Sequence, residues 1–243
     1  KKLKECIYCY GTLSLKYARI QNVCGALDNN TGGAINIQSR WMTGEPCGTT
    51  TVENSIITKC MSPTGSALLL GTQNQGHSQT PENCRVKIQN SEIFNCSSSS
   101  GGTVRSIGAA VANLYLTNTV IHHNFSSNGA GLYWNAHGLA NADTKCTING
   151  CTFSDNIAIY KGGGMMLESS FEFTGDQTQV TNNKAGEQGG GIYINGYGGG
   201  LITGGTFNLK LNDKLKVTNN SSRYGGGISF NFGQMSFTQP TTY

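Results

Sequence analysis

"CTFSDNIAIYKGGGMML" (Cys151 to Leu167) places an Asn, a gap of mixed residues, a glycine triplet and an apolar stub in that order. The order returns at "VTNNKAGEQGGGIYI" (Val180 to Ile194) and "VTNNSSRYGGGISF" (Val217 to Phe230). Working outward, seven small-residue clusters align: "GGAI" at Gly32, "GSAL" at Gly65, "GGTV" at Gly101, "GAGL" at Gly129, "GGGM" at Gly162 and "GGGI" at Gly189 and Gly225. Their first glycines lie 33, 36, 28, 33, 27 and 36 residues apart. Self-similarity at such a period means stacked units, because about 30 residues cannot bury an apolar face alone.

Two further markers precede each cluster. One is Asn95, Asn124, Asn156, Asn183 and Asn220, eight or nine residues before the apolar stub. The other is Asn22, Asn54, Asn90, Asn118 and Asn149, further upstream. Between them lie runs of three to five residues rich in Thr, Val, Ile, Tyr and Phe. These alternate in polarity, as in "VKIQ" (Val86 to Gln89), which is strand periodicity. Each unit therefore reads strand, Asn, strand, Asn, polar loop, glycines, strand.

The predicted fold is all-β: a right-handed parallel β-helix, or solenoid, of about seven to eight coils, forming a rod roughly 35–40 Å long at about 4.8 Å per coil. Asn tolerates the left-handed conformation of a sharp turn, and stacked Asn side chains bond along a ladder. Asn22, Asn54, Asn90, Asn118, Asn149, Asn156 and Asn183 are thus expected at turns or in ladders. Gly33, Gly163, Gly190 and Gly226 are expected where no Cβ fits. A single domain is expected over 1–243: an N-terminal strand or cap segment at 1–17, repeats over 18–234, and a tail or strand at 235–243.

Only 12% of the 243 residues are charged. The net charge of +4 includes no basic stripe interleaved with aromatics, so no nucleic-acid partner is expected. No stretch has the length of a membrane span and no signal peptide is read, so the "KKLKEC" start reads as a processed or truncated product. Nine cysteines and five N-x-[ST] sequons (Asn29, Asn95, Asn124, Asn219, Asn220) point to an oxidising, extracellular setting with disulfides and glycans. In register, Cys60 and Cys96 fall on equivalent positions of adjacent coils and form the first candidate disulfide. Cys47 with Cys84 is the second and Cys146 with Cys151 the third. Cys6, Cys9 and Cys24 remain near the N-terminus, and an odd total leaves at least one thiol unpaired.

At "GGAI" (Gly32 to Ile35), "FSDN" (Phe153 to Asn156) and "FSSN" (Phe125 to Asn128) the sequence resembles the passenger domains of the chlamydial polymorphic membrane proteins. That family repeats GGA[ILV] and FxxN on a parallel β-helix. The resemblance runs over residues 18 to about 230 and implies surface display and adhesion. The family's C-terminal barrel has no counterpart in the sequence as read.

Enzyme chemistry is not expected. The Asp residues Asp28, Asp143, Asp155, Asp176 and Asp213 occupy different parts of the repeat, whereas inverting hydrolysis needs two carboxylates on one face. Arg40, Arg85, Arg105 and Arg223 lack the acidic cluster that lyase chemistry wants. His122 and His123 are expected to face opposite sides of a strand and to hold no metal jointly. "GYGGGLITGG" (Gly196 to Gly205) lacks the Lys-Ser/Thr of a nucleotide loop. No cofactor is expected. "GTQNQGHSQTPEN" (Gly71 to Asn83) and "NAHGLANADT" (Asn135 to Thr144) are expected to project as loops, where ligand contacts are built. The function expected is that of an extracellular structural or adhesive rod. It would self-associate head-to-tail into a filament or surface layer, because neither end shows a capping helix. Host or cell-surface glycans and proteins are the other expected partners. The alternative is a carbohydrate-binding or carbohydrate-cleaving β-helix with a groove lined by Trp41, Trp134 or tyrosines.

Overall fold

A computed structural model describes residues 7–9, 11–25, 32–37, 48–71, 85–106, 113–135, 145–196 and 213–231. The described residues form twenty-six short strands and no helix, and every strand pairing is parallel. Among the described residues, then, no helix is long and apolar enough to cross a membrane. The chain winds through four sheets, here A to D in the order the chain visits them. The coil of β8 (Leu68–Leu70), β9 (Arg85–Gln89), β10 (Glu92–Phe94) and β11 (Ser97–Ser98) is representative, one strand per sheet. Sheet A runs unbroken from β1 (Ile7–Cys9) to β26 (Ile228–Asn231), so the structure is a parallel β-helix.

The period of the sequence becomes the register of the sheets. Val104 pairs with Leu68 and with Leu132, and Leu132 with Met165, so equivalent apolar residues stack. Alternation within a strand sends one set inward, giving a single core. It includes Ile35, Leu70, Ile88, Leu114, Ile148, Phe153 and Ile192, all at 1% exposure or less. At the two ends of the stack the core is only half covered: Ile7, Leu13, Leu15 and Val23 at one end, Leu215, Val217, Ile228 and Phe230 at the other.

Two corners have a fixed construction. Between sheets B and C, and again between C and D, two residues connect the strands in nearly every coil. The first adopts a left-handed backbone and the second points inward. At the B–C corner the left-handed residues are Tyr17, Asn54, Asn90, Asn118, Gly150 and Gly175. At the C–D corner they are Asn22, Lys59, Asn95, His123, Asp155, Asn182 and Asn219. Asn leads both lists because its short polar side chain tolerates that conformation.

These corners correct three readings. Asn22 belongs to the second corner, not with Asn54, Asn90 and Asn118 at the first. Asn149 is the last residue of a sheet B strand, and Gly150 takes the left-handed place after it. Asn95 is left-handed and exposed, one residue before the inward position that Asn124 occupies in the next coil. Asn156 and Asn183 are inward rungs of a ladder, bonded one to the next.

The glycine clusters form the corner between sheets D and A. Gly65, Gly129, Gly162, Gly189 and Gly225 are left-handed there. The following residue is squeezed between coils: a Cβ on Gly163 would lie 2.2 Å from the Gly190 carbonyl oxygen and 2.6 Å from that of Lys184. The cluster marks a backbone crossing, as its repetition predicts.

Candidate functional site

The inward residues of the C–D corner form the most organised polar feature. In register they read Val23, Cys60, Cys96, Asn124, Asn156, Asn183 and Asn220. Asn156 shows the construction. Its Oδ1 accepts from the Asn124 backbone N–H (3.1 Å) and from Asn124 Nδ2 (3.0 Å). Its Nδ2 donates to the Ile121 carbonyl (2.9 Å) and to Asn183 Oδ1 (3.0 Å). Asn183 repeats this with Asn220 and the Phe153 carbonyl, and Asn124 with the Ile93 carbonyl and the Cys96 N–H. Every amide is used, inside the rod, where an unpaired polar group would cost about 1–3 kcal/mol.

Two expected glycan sites are overturned by this ladder. Asn124 is 1% exposed with both amide atoms bonded internally, so the folded chain leaves no room for a sugar on it. Asn220 is half-buried, and its amide bonds Asn183 and the Val180 carbonyl. Asn95 and Asn219 are exposed at left-handed corners. Asn29 lies outside the described residues.

The disulfide expectation is also overturned for the described cysteines: Cys9, Cys24, Cys60, Cys96, Cys146 and Cys151 are all free. Cys60 and Cys96 do stack in register. Residues stacked across parallel strands point the same way about 4.8 Å apart, whereas a disulfide brings Cβ atoms to about 3.8 Å. The thiols turn instead to backbone carbonyls, Cys60 to Thr58 (3.3 Å) and Cys96 to Phe94 (3.4 Å). Donation toward Cys60, together with burial, pushes the Cys96 thiol up. Burial, with Cys151 adding to it, holds Cys146 well above the ordinary thiol range, and burial pushes Cys151 up to about 11. The raised thiols of Cys96, Cys146 and Cys151 are not poised nucleophiles, and Cys60, which the Cys96 hydrogen bond lowers, is sealed from solvent. Cys6, Cys47 and Cys84 lie outside the described residues.

Among the exposed faces, sheet B carries a shallow groove of about 390 Å³ lined by Arg85, Lys87, Gln89, Tyr115 and Thr117. Beside it, Glu53 pairs with Lys16 (2.8 Å), which lowers the Glu53 carboxyl, and Glu172 pairs with Lys145 (2.8 Å). Trp134, expected to line a groove, is buried in the core with its indole N–H donating to the Ser170 carbonyl (3.0 Å). Trp41 lies outside the described residues.

The outer face of sheet A holds a feature that sequence reading missed. Glu168, 8% exposed, accepts from Tyr133 Oη (2.8 Å), Asn135 Nδ2 (2.7 Å) and Asn195 Nδ2 (2.8 Å). Arg105 lies over the Tyr133 ring at 5.2 Å and Lys161 over Tyr193 at 4.9 Å. Burial first, then Glu168, raises the Tyr133 phenol, which therefore stays a donor. The donors come from the coils on either side of the Glu168 coil, so the carboxylate clasps three coils together from outside. Nothing in the spacing of one glutamate signals this.

On sheet C, His122 and His123 do not face opposite sides. His123 occupies the left-handed corner position (φ 53°), which swings its ring back onto the outer face. The two Nδ1 atoms lie 2.7 Å apart, His122 Nε2 lies 2.9 Å from Glu92 Oε1, and the His122 ring stacks on Phe94 at 5.0 Å. Among the described residues no group of three or more His, Cys, Asp or Glu side chains is gathered for a metal ion.

The described residues thus form a fixed-register parallel β-helix with an Asn ladder inside and polar side-chain groups on its outer faces. Over 91 residues, 36% of this chain, the sequence is 34% identical to "Probable outer membrane protein PmpG" of Chlamydia muridarum (strain MoPn / Nigg). The matched segment is 9% of that relative's length. This is the family to which the GGAI and FSDN motifs pointed. No family model and no solved structure matches the chain.

Proposed function

We propose that this chain is a rigid, non-enzymatic segment of an extracellular or cell-surface protein, a structural and adhesive rod that extends by end-to-end stacking. The supporting observation is the partly covered core in the first and last described coils, at Ile7, Leu13, Leu15 and Val23 and at Leu215, Val217, Ile228 and Phe230. An apolar strand edge at each end of a parallel stack is a template for a further coil, from a second copy or from adjoining chain. The likeness to an outer membrane protein supports display at a surface. Glu53 and Glu172 are tied to lysines and Glu168 to three donors, which leaves those carboxylates serving structure rather than hydrolysis.

The test is sedimentation velocity across a wide concentration range, with Leu215→Lys and Phe230→Lys as end-blocking variants. Concentration-dependent linear oligomers that shorten in the variants are expected. A monodisperse monomer at every concentration sinks the stacking reading. The groove beside Tyr115 favours a second reading, binding of glycans on sheet B. Arg85 and Lys87 flank the ring, so the preferred sugars would be acidic. Retention on a glycan array that is lost in Tyr115→Ala supports it, and no retention removes it.

A further inference from the structure

We propose that His122 and His123 form a two-histidine binding site for a divalent first-row transition ion of the Zn²⁺ type, held by their Nδ1 atoms, with Glu92 supporting His122 from its Nε2 side. Consecutive residues of an extended strand point to opposite faces. Here the corner breaks that rule. His122 ends β14 (Val120–His122) and faces outward, while His123 adopts the left-handed backbone, and the two ring nitrogens meet at 2.7 Å. Two imidazole nitrogens at that distance share one proton. Without it they present two lone pairs to the same point, and a metal ion takes the proton's place.

The site has the support that metal-bound imidazoles carry. A ligating histidine normally gives its other ring N–H to a carboxylate, which fixes the tautomer and the ring plane. His122 Nε2 lies 2.9 Å from Glu92 Oε1, which leaves Nδ1 as the electron-pair donor. The flat stack on Phe94, at 5.0 Å and 6°, holds the same ring from below. Tetrahedral Zn²⁺ with Zn–N of about 2.0–2.1 Å needs its nitrogens about 3.3 Å apart. The rings therefore open by roughly 0.6 Å, and the exposed corner residue His123 is free to make that movement.

Asp155 occupies the same corner position on the next coil, and the His123 N–H donates to the neighbouring Ser154 carbonyl at 3.1 Å. The two imidazoles are the protein ligands, and water completes the shell. Imidazole donors select Zn²⁺, Cu²⁺ or Ni²⁺ over Ca²⁺ and Mg²⁺.

The experiment is isothermal titration of the folded chain with ZnCl₂ at neutral pH, after accessible thiols such as Cys24 have been capped with iodoacetamide. One saturable site is expected, and MgCl₂ should not reproduce it. His123→Asn is the clean variant, because four other coils carry Asn in that corner position (Asn22, Asn95, Asn182, Asn219) and the fold survives the change. It should weaken binding at least about 10-fold, and Glu92→Gln, which removes only the supporting carboxylate, by about 10-fold. In ¹⁵N spectra the Zn²⁺-induced shifts should fall on the Nδ1 atoms. No saturable binding, or binding unchanged in His123→Asn, overturns the assignment.

Discussion

The two ends of the inward C–D column solve one problem with different chemistry. In the last four coils Asn124, Asn156, Asn183 and Asn220 pass hydrogen bonds from rung to rung. In the first three, Val23, Cys60 and Cys96 fill the same column with apolar or thiol groups. Cys96 marks the seam. Its N–H donates to Asn124 Oδ1 (3.0 Å), while its thiol reaches toward the Ile57 carbonyl at 4.0 Å, the place an Asn amide would bond at closer range. The glycine corner changes in parallel. The last three coils use three glycines, where earlier ones use Gly65-Ser66-Ala67 or Gly129-Ala130-Gly131. The lesson is that winding needs a fixed register and a small, compatible rung, while the amide ladder adds directionality to coils that would stack without it.

The largest effect should come from the regular half. Gly163→Val drives a side chain into two backbone carbonyls and is predicted to destabilise by about 4 kcal/mol or more, read as a loss of denaturation midpoint. Ala130→Gly, at the equivalent corner of a coil that lacks the glycine triplet, should cost no more than about 1 kcal/mol.

Next comes Asn156→Ala, which strips partners from Asn124, Asn183 and the Ile121 carbonyl at once. About 3 kcal/mol is expected in urea unfolding, against about 1 kcal/mol for Asn220→Ala at the half-buried last rung. Equal losses would show that the ladder is decoration.

Alkaline titration probes the buried thiols. Cys151 ionises at about 11 in the folded chain against an ordinary 9.0, so its neutral form is favoured by folding. The associated stability is complete below pH 9 and is lost as pH rises through 11. Two pKa units correspond to roughly 2.7 kcal/mol. Cys151→Ala should flatten that fall, and an unchanged profile would count against the burial account.

The smallest change is the most informative about the seam. Cys96→Asn extends the amide ladder by one rung toward Cys60 and is predicted to shift stability by less than about 1 kcal/mol, in the favourable direction. A large loss would mean that the thiol half cannot accommodate an amide.

Much of this architecture was readable in the chain. The glycine clusters give the register of sheet A, and alternation gives the inward set. The corners were only half legible, because the left-handed position is visible when Asn fills it and hidden when Tyr17, Lys59, His123 or Asp155 does. The outward features were not legible at all. The Glu168 clasp joins Tyr133, Asn135 and Asn195, and the His122–His123 contact depends on a backbone angle rather than on a motif. For Cys60 and Cys96 the spacing gave the correct neighbours and the wrong bond, since stacking in register is not the same as facing one another.

The corners also differ in how they treat length. The turns into sheets C and D hold almost constant, while the stretch from sheet A to sheet B varies from three residues (168–170) to fourteen (71–84). Growth of the polypeptide is thus confined to one seam running lengthwise along the rod. Insertions there leave the pitch untouched, so a lineage can rewrite what the rod shows along that seam while inheriting its frame unchanged.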